Sequence, residues 1–144
     1  MKISLYFSYA KQCILLLLFT LCLITTTLVA QTTWTGATNT DWNTPGNWSA
    51  GVPDAADDVT IPNTVNKPVI GAGTAAEAKS VLINASAAML AINATGSLSI
   101  NGATVHGLDN YGILNNSGTI RVGNTTALGA IGIVQRNGGT FNNK

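Results

Sequence analysis

The second half of the chain consists of short apolar clusters separated by turn-forming residues, and this alternation limits the fold more than any other feature. The clusters lie at residues 81–83, 90–92, 98–100, 113–114, 120–122 and 131–134. The residues between them are mainly asparagine and glycine, which favour turns. Several clusters are apolar at every second position, as strands are, and none is long enough to indicate a helix. The pattern predicts an all-β fold of short strands.

The spacing of the clusters indicates how those strands are arranged. The unit Leu-x-Ile-Asn occurs at residues 90–93 and again at 98–101, eight residues apart. Strands at such regular intervals are expected when a chain winds into coils that stack about 4.8 Å apart. We therefore predict a right-handed parallel β-helix (β-solenoid) over residues 75–144. An antiparallel sandwich is the alternative, although it usually shows longer alternations and more large core residues.

The length of the repeat region and its C-terminal residues indicate how many coils the chain forms. Coils of about twenty residues would give roughly three to four coils, close to the minimum for stable stacked repeats. Residues 138–144 read as the opening of another coil, and no charged or helical cap follows them. We therefore expect the solenoid to be truncated here and the chain to be the front of a longer protein.

All three tryptophans, Trp34, Trp42 and Trp48, fall within fifteen residues. Turn formers such as Pro45 and Gly46 separate them, so we expect loops pinned together by aromatic packing. Residues 57–61 then read as the first strand. Residues 31–74 are thus predicted to be a Trp-rich N-terminal cap with the first strands. The alternative is that the same three indole rings are exposed and stack on the sugar rings of a carbohydrate ligand.

The N-terminal residues 1–30 have the order of a secretory signal peptide. Lys2 and Lys11 precede an apolar run at residues 13–24, and Thr-Leu-Val-Ala-Gln at 27–31 is an imperfect match to an A-x-A type cleavage site after Ala30. The apolar run is shorter than the roughly twenty residues that a membrane-spanning helix needs. The sequence predicts cleavage near Ala30, a secreted or cell-surface location, and no membrane span in the mature chain. An uncleaved N-terminal anchor is the alternative.

Composition excludes several classes of site in the mature chain. Both cysteines, Cys13 and Cys22, lie within residues 1–30, so neither disulfides nor Cys-ligated metals are expected after cleavage. Beyond residue 30 the acidic and basic residues nearly balance, and the basic ones are scattered. Nucleic acid is therefore not an expected partner, because no basic patch is available to neutralise phosphates. No cofactor is predicted.

Two small groups of ionisable residues are the only candidates for chemistry. His106 and Asp109 are three residues apart in a predicted loop, which favours a solvated turn over a catalytic dyad. Asp54, Asp57 and Asp58 could offer oxygen ligands to Ca²⁺. In a strand, however, Asp57 and Asp58 would point to opposite faces, so turn and strand-entry roles are favoured. We predict no metal site and no catalytic residues.

The start of the mature chain resembles a known group of proteins. The motifs are Trp34-Thr-Gly, Asp41-Trp42, Asn47-Trp48-Ser and Gly51-Val-Pro, followed by Asp-Asp-Val-Thr-Ile-Pro at 57–62. They resemble the N-terminal portion of large repetitive surface proteins exported by Bacteroidetes-type bacteria. Gly-Ser-Leu-Ser-Ile-Asn-Gly-Ala at 96–103 is similar to their parallel β-helix repeats. The resemblance implies an adhesin-like role; the C-terminal sorting domain that many of these proteins use for type IX secretion is not found in this sequence.

Together these features predict a non-enzymatic extracellular β-solenoid that is a structural or adhesin-like segment of a larger secreted or cell-surface protein. Surface glycans and host or matrix components are the expected partners. Two other functions stay open. One is a carbohydrate-binding module that uses Trp34, Trp42 or Trp48, and the other is the non-catalytic front of a polysaccharide-degrading enzyme.

Overall fold

The computed structural model describes residues 30–102, 105–123 and 131–144, so the predicted signal peptide lies outside the described residues except for Ala30. No helical segment within these ranges is long and apolar enough to cross a membrane. The strands are β1 (Gln31–Thr33), β2 (Asp58–Ile61), β3 (Val69–Ile70), β4 (Ala75–Ala78), β5 (Ser80–Ile83), β6 (Met89–Ile92), β7 (Ser97–Ile100), β8 (His106–Asn110), β9 (Ile113–Asn116), β10 (Thr119–Val122), β11 (Ile131–Gln135) and β12 (Thr140–Asn143). A short 3₁₀ helix covers Pro45–Asn47.

The strands form three parallel sheets, each built from successive coils of the chain. Sheet 1 has the order β1-β2-β5-β8-β11, sheet 2 the order β3-β6-β9-β12, and sheet 3 the order β4-β7-β10. One coil therefore contributes one strand to each sheet and then passes to the next level. The result is a parallel β-solenoid of about four turns, as the sequence predicts.

The register between coils explains why the apolar pattern repeats. Ile61 of β2 pairs with Ile83 of β5, and Ile70 of β3 pairs with Ile92 of β6. In most strands every second residue is buried, so these isoleucines stack in columns inside the coil. Burying a Leu, Ile or Val side chain contributes about 1.5–3 kcal/mol. The chain carries few charges, so ion pairs contribute little to its stability. The buried apolar columns are therefore the main source of stability.

The three tryptophans close the N-terminal end of these columns. Thr33 pairs with Thr60, so Trp34, the next residue, takes the level above Ile61. Trp42 likewise follows Asp41, which bridges to Val69, and its backbone N–H donates to the Val69 carbonyl oxygen at 3.1 Å. The predicted Trp-rich cap is therefore present, and it continues the coil stack rather than standing apart from it.

Asparagines replace isoleucines in the same columns further along the stack. Asn110 pairs with Ile83, and Asn116 pairs with Ile92. The Asn110 amide donates to Gln135 Oε1 and to the Thr140 carbonyl oxygen, both at 3.0 Å. The oxygen of Asn110 accepts from the backbone N–H of Gly112 at 3.0 Å. Each buried amide is thus satisfied within the stack, as a polar core group must be.

Side-chain ladders of asparagine are present between β9 and β12. Asn116 donates to Asn143 Oδ1, and Asn142 donates to Asn115 Oδ1, both at 2.7 Å. They lie within paired strands, because parallel in-register pairing places equivalent side chains one above the other.

Gly118 lies where one coil passes close to the next, so a substitution there tests the stacking. A Cβ at residue 118 would lie 2.6 Å from the Asn93 carbonyl oxygen and nearer still to that of Gly96. We expect Gly118→Ala to lower the free energy of unfolding by about 1–3 kcal/mol, because the backbone of two coils must separate.

Gly71→Ala is the matched control, since its nearest neighbour would be Thr74 Oγ1 at 3.7 Å, an ordinary contact. It should change stability by no more than about 0.5–1 kcal/mol. Urea unfolding followed by tryptophan fluorescence measures both variants. Equal stability of the two would contradict this close approach of the coils.

Candidate functional site

The three predicted carbohydrate-stacking residues lie in the core. Trp34 and Trp42 are fully buried and Trp48 is 5 % exposed. The ring of Trp48 packs edge-on against Trp34 at 4.9 Å and against Trp42 at 4.7 Å between centroids. The indole N–H of Trp34 donates to the Asn66 carbonyl oxygen, and that of Trp48 to the Trp42 carbonyl oxygen, both at 2.7 Å. The rings offer no face to a sugar, and this favours the structural interpretation.

Asn47 organises the loops around these tryptophans, a role that the sequence did not reveal. Its side chain is fully buried. Its oxygen accepts from the backbone N–H groups of Thr38 and Asn39 at 2.9 and 3.0 Å. Its amide donates to Asn39 Oδ1 at 2.7 Å and to the Asp41 carbonyl oxygen at 2.8 Å. All the hydrogen-bonding capacity of this side chain is used to fix the cap.

The acidic group at Asp54, Asp57 and Asp58 is divided between two roles. Asp57 accepts from the Asp54 backbone N–H at 2.9 Å, and Asp54 from the Ala56 N–H at 2.7 Å, so both stabilise a turn. Asp58 instead begins β2 and lies on the outer face of sheet 1. Within the described part of the chain, no group of three or more His, Cys, Asp or Glu residues could hold a metal ion.

A shallow groove of about 270 Å³ lies on the outer face of sheet 1. Its lining includes Asp58, Ser80, Leu82, Val105, His106 and Asp109. These residues come from β2, β5 and β8 and from the connection into β8. That connection is longer than the equivalent one before β5, where Lys79 alone separates β4 from β5. Val105, the residue directly before β8, forms one wall of the groove.

At one end of the groove, Asp58 is held by two neighbours. Lys79 Nζ lies 3.0 Å from Asp58 Oδ2, and Ser80 Oγ donates to Asp58 Oδ1 at 2.6 Å. Ser80 is the register partner of Asp58 in the next coil. The carboxylate therefore links two adjacent coils while 35 % of its side chain stays exposed to solvent.

At the other end, Asp109 is the centre of a second cross-coil group. Arg136, which follows β11, donates to both Asp109 oxygens at 2.5 and 2.7 Å. His106 Nδ1 lies 3.3 Å from Asp109 Oδ2 and 3.3 Å from Arg136 Nη2. The hydrogen bond from Arg136 holds the pKa of Asp109 below its ordinary value, despite burial that would raise it. Asp109 is therefore a carboxylate at neutral pH.

The placement of His106 and Asp109 corrects one expectation from the sequence. We expected a loop with a solvated pair, but both residues lie in strand β8, and only 16 % of the Asp109 side chain is exposed. The reason is the position of Arg136, 27 residues later, which the register of β8 with β11 brings alongside Asp109. Ser80 and Asp58 were not expected near His106 for the same reason, since only the coil register joins them.

The lowered pKa of Asp109 predicts an acid-dependent loss of stability. A carboxylate whose pKa falls on folding stabilises the protein above its ordinary value of 3.8, and this contribution is lost as the pH falls from there through the lowered value. We expect Asp109→Asn to be less stable than the parent at pH 7. The difference in free energy of unfolding should shrink as the pH falls from 3.8 through the lowered pKa. Urea unfolding midpoints at a series of pH values measure it.

Glu77→Gln is the matched control, because Glu77 is exposed on sheet 3 and makes no ion pair among the described residues. It should stay close to the parent at every pH. A stability difference for Asp109→Asn that is constant from neutral to strongly acidic pH would show that the Arg136 pair has no such role.

No curated protein and no solved structure matches the chain. A family model described as a domain of unknown function (DUF8693) matches residues 33–143, which include the tryptophan cap and the strands from β2 to β12. The chain belongs to this family, the domain of unknown function DUF8693, whose fold here is a β-solenoid closed at its N-terminal end by buried tryptophans.

Proposed function

We propose that the chain is a non-enzymatic extracellular β-solenoid that is a structural or adhesin-like segment of a larger secreted or cell-surface protein. The observation that carries this proposal is the use of charged side chains on sheet 1. The pair of Asp58 with Lys79 and the pair of Asp109 with Arg136 each join successive coils. Such pairs stabilise a scaffold, and neither leaves an unpaired carboxylate that could act as a catalytic base.

The electrostatics of Asp109 argue against glycoside hydrolysis in the groove. That reaction uses two carboxyl groups, one of which must have a raised pKa so that it can donate a proton to the leaving group. The pKa of Asp109 is lowered by Arg136, so this residue is a poor proton donor at neutral pH. Both oxygens of Asp58 are engaged by Lys79 and Ser80. These contacts support a binding or structural role.

The extracellular part of the proposal depends on the sequence. Residues 1–30 have the charge and hydropathy order of a signal peptide. The described fold needs no thiol chemistry, because backbone hydrogen bonds between coils and the buried columns hold it together. A domain of this kind keeps its structure in oxidising surroundings without forming disulfides.

Of the two alternative functions, carbohydrate binding through the tryptophans is the less favoured. Binding by Trp34, Trp42 or Trp48 would require the cap to open, and it would break the two indole hydrogen bonds and the aromatic contacts. A role as the front of a polysaccharide-degrading enzyme is compatible with the same fold. It would differ in having catalytic groups elsewhere in a longer chain.

Export gives the first test of this proposal. Expressed in a Gram-negative host, the full chain should leave the cytoplasm and begin at Gln31, because residues 1–30 would be removed on translocation. Intact-mass spectrometry of the released protein measures this start. Leu16→Arg, which places a charge in the apolar run, should block release. Release with residues 1–30 still attached, or no release of the parent chain, would count against the extracellular assignment.

The second test separates adhesion from catalysis. Beads coated with the released chain should be retained under flow on surfaces that carry polysaccharides or matrix proteins, whereas beads coated with heat-unfolded chain should not. No reducing ends should appear when the chain is incubated with the same soluble polysaccharides. Product that increases with time and with protein concentration would overturn the non-enzymatic assignment. Failure of retention on every surface would overturn the adhesin-like one.

A further inference from the structure

The groove on sheet 1 combines hydrogen-bonding groups with an apolar surface, and no part of the proposed scaffold role explains that combination. Asp58 and Asp109 stand at its two ends, and Ser80 and His106 contribute a hydroxyl and an imidazole. Leu82 and Val105 supply the apolar part, and Val105 is 60 % exposed. A concave surface that combines apolar side chains with a few converging polar groups has the composition of a small-molecule site.

The charges of the groove nearly cancel. The Asp58 carboxylate is joined to Lys79, and the Asp109 carboxylate to Arg136. A strongly cationic or anionic ligand would therefore gain little from the field of the groove and would displace one of these pairs. The carboxylates nevertheless keep lone pairs beyond those that face Lys79, Ser80, Arg136 and His106, because an ionised carboxylate has about four acceptor sites. The groove thus favours a neutral ligand that donates several hydrogen bonds.

The ligand must also have an apolar face. Leu82 lies beside Asp109 in the sheet, since it pairs with Asp109 on one side and with Thr60 on the other, and Asp58 lies two residues before Thr60 in β2. Val105 lines the groove from the connection before β8. A sugar ring meets both demands, because its hydroxyl groups donate around the edge while its C–H groups form an apolar face. The cavity is small beside the roughly 300–1,000 Å³ of drug-sized sites, so only a short saccharide would fit.

We propose that this groove binds a short neutral saccharide, with Asp58 and Asp109 accepting from its hydroxyl groups and with Leu82 and Val105 against its C–H face. The inference rests on the proposed adhesin-like function and gives that function its ligand class. It also moves carbohydrate recognition away from the tryptophans, which stay inside the cap. The groove spans three adjacent coils, so binding depends on correct stacking of the solenoid.

Nuclear magnetic resonance titration of the chain, in the form released after export, tests the inference. The probes are neutral disaccharides and trisaccharides based on glucose, xylose, mannose, galactose or N-acetylglucosamine. A dissociation constant of roughly 0.1–1 mM is expected for so small a site. The backbone signals of Ser80, Val105 and His106 should shift. The preferred sugar distinguishes a polysaccharide source, rich in glucose or xylose, from a glycoprotein source, rich in mannose and galactose.

Variants locate the binding within the groove. Ser80→Ala and Asp58→Asn should each weaken binding by about tenfold or more, since each removes hydrogen-bonding capacity at one end. Ser99→Ala, on the outer face of β7 in sheet 3, is the matched control and should leave binding unchanged. Tryptophan fluorescence verifies that each variant keeps the buried cap. Two independent groove variants make a folding defect in one of them easy to recognise.

Several results would overturn the inference. These are no shift with any neutral sugar, shifts confined to residues outside the groove, or preferential binding of an amine or an acidic sugar. Bead retention that survives both groove variants would also overturn it, while leaving the proposed function intact. Conversely, slow cleavage of a bound saccharide would overturn the non-enzymatic function and leave the groove as the binding site.

Discussion

The structure depends on one constraint, which is that each strand pairs in parallel with the strand one coil away. Paired residues are 22 positions apart from Asp58 to Ser80 and from Ser97 to Thr119, but 27 apart from Leu82 to Asp109 and from Asn116 to Asn143, so the spacing varies while the parallel pairing is kept. This pairing brings like residues into register, so isoleucine stacks on isoleucine inside and polar residues stack outside. Every other feature follows from it, including the asparagine ladders, the cross-coil ion pairs and the groove. A slip of one residue would turn the buried columns outward, which is why the register is strongly specified.

Much of the fold could be predicted from the sequence. Clusters such as 90–92 and 98–100 became β6 and β7, and the strand expected at residues 57–61 is observed at Asp58–Ile61. It is the second strand and not the first, because Gln31–Thr33 form β1 and pair with it. Local patterns suffice for these features, because alternation and turn residues act over a few positions. The burial of three tryptophans was also expected, since a chain with few large side chains needs them for its core.

The candidate site could not be predicted in the same way. Asp109 meets Arg136, and Ser80 meets Asp58, only after the coils have stacked in register. No local pattern reports such contacts between polar residues more than twenty positions apart. The inward position of Asn110 is also not visible in the local sequence. Asparagine favours turns, but Asn110 lies inside the coil because Gln135 and Thr140 of the next coil accept hydrogen bonds from its amide.

The core columns change from apolar to partly polar residues along the stack, and this change bears on how the chain folds. At one end the columns hold Trp34, Trp42 and isoleucines, and towards the other end they hold Asn110 and Asn116. In a stack whose coils contact only their neighbours, folding starts where local stability is highest and spreads from coil to coil. The tryptophan end is synthesised first. Synthesis therefore runs in the same direction as the decrease in apolar core residues, and we expect each completed coil to serve as the template for the next one.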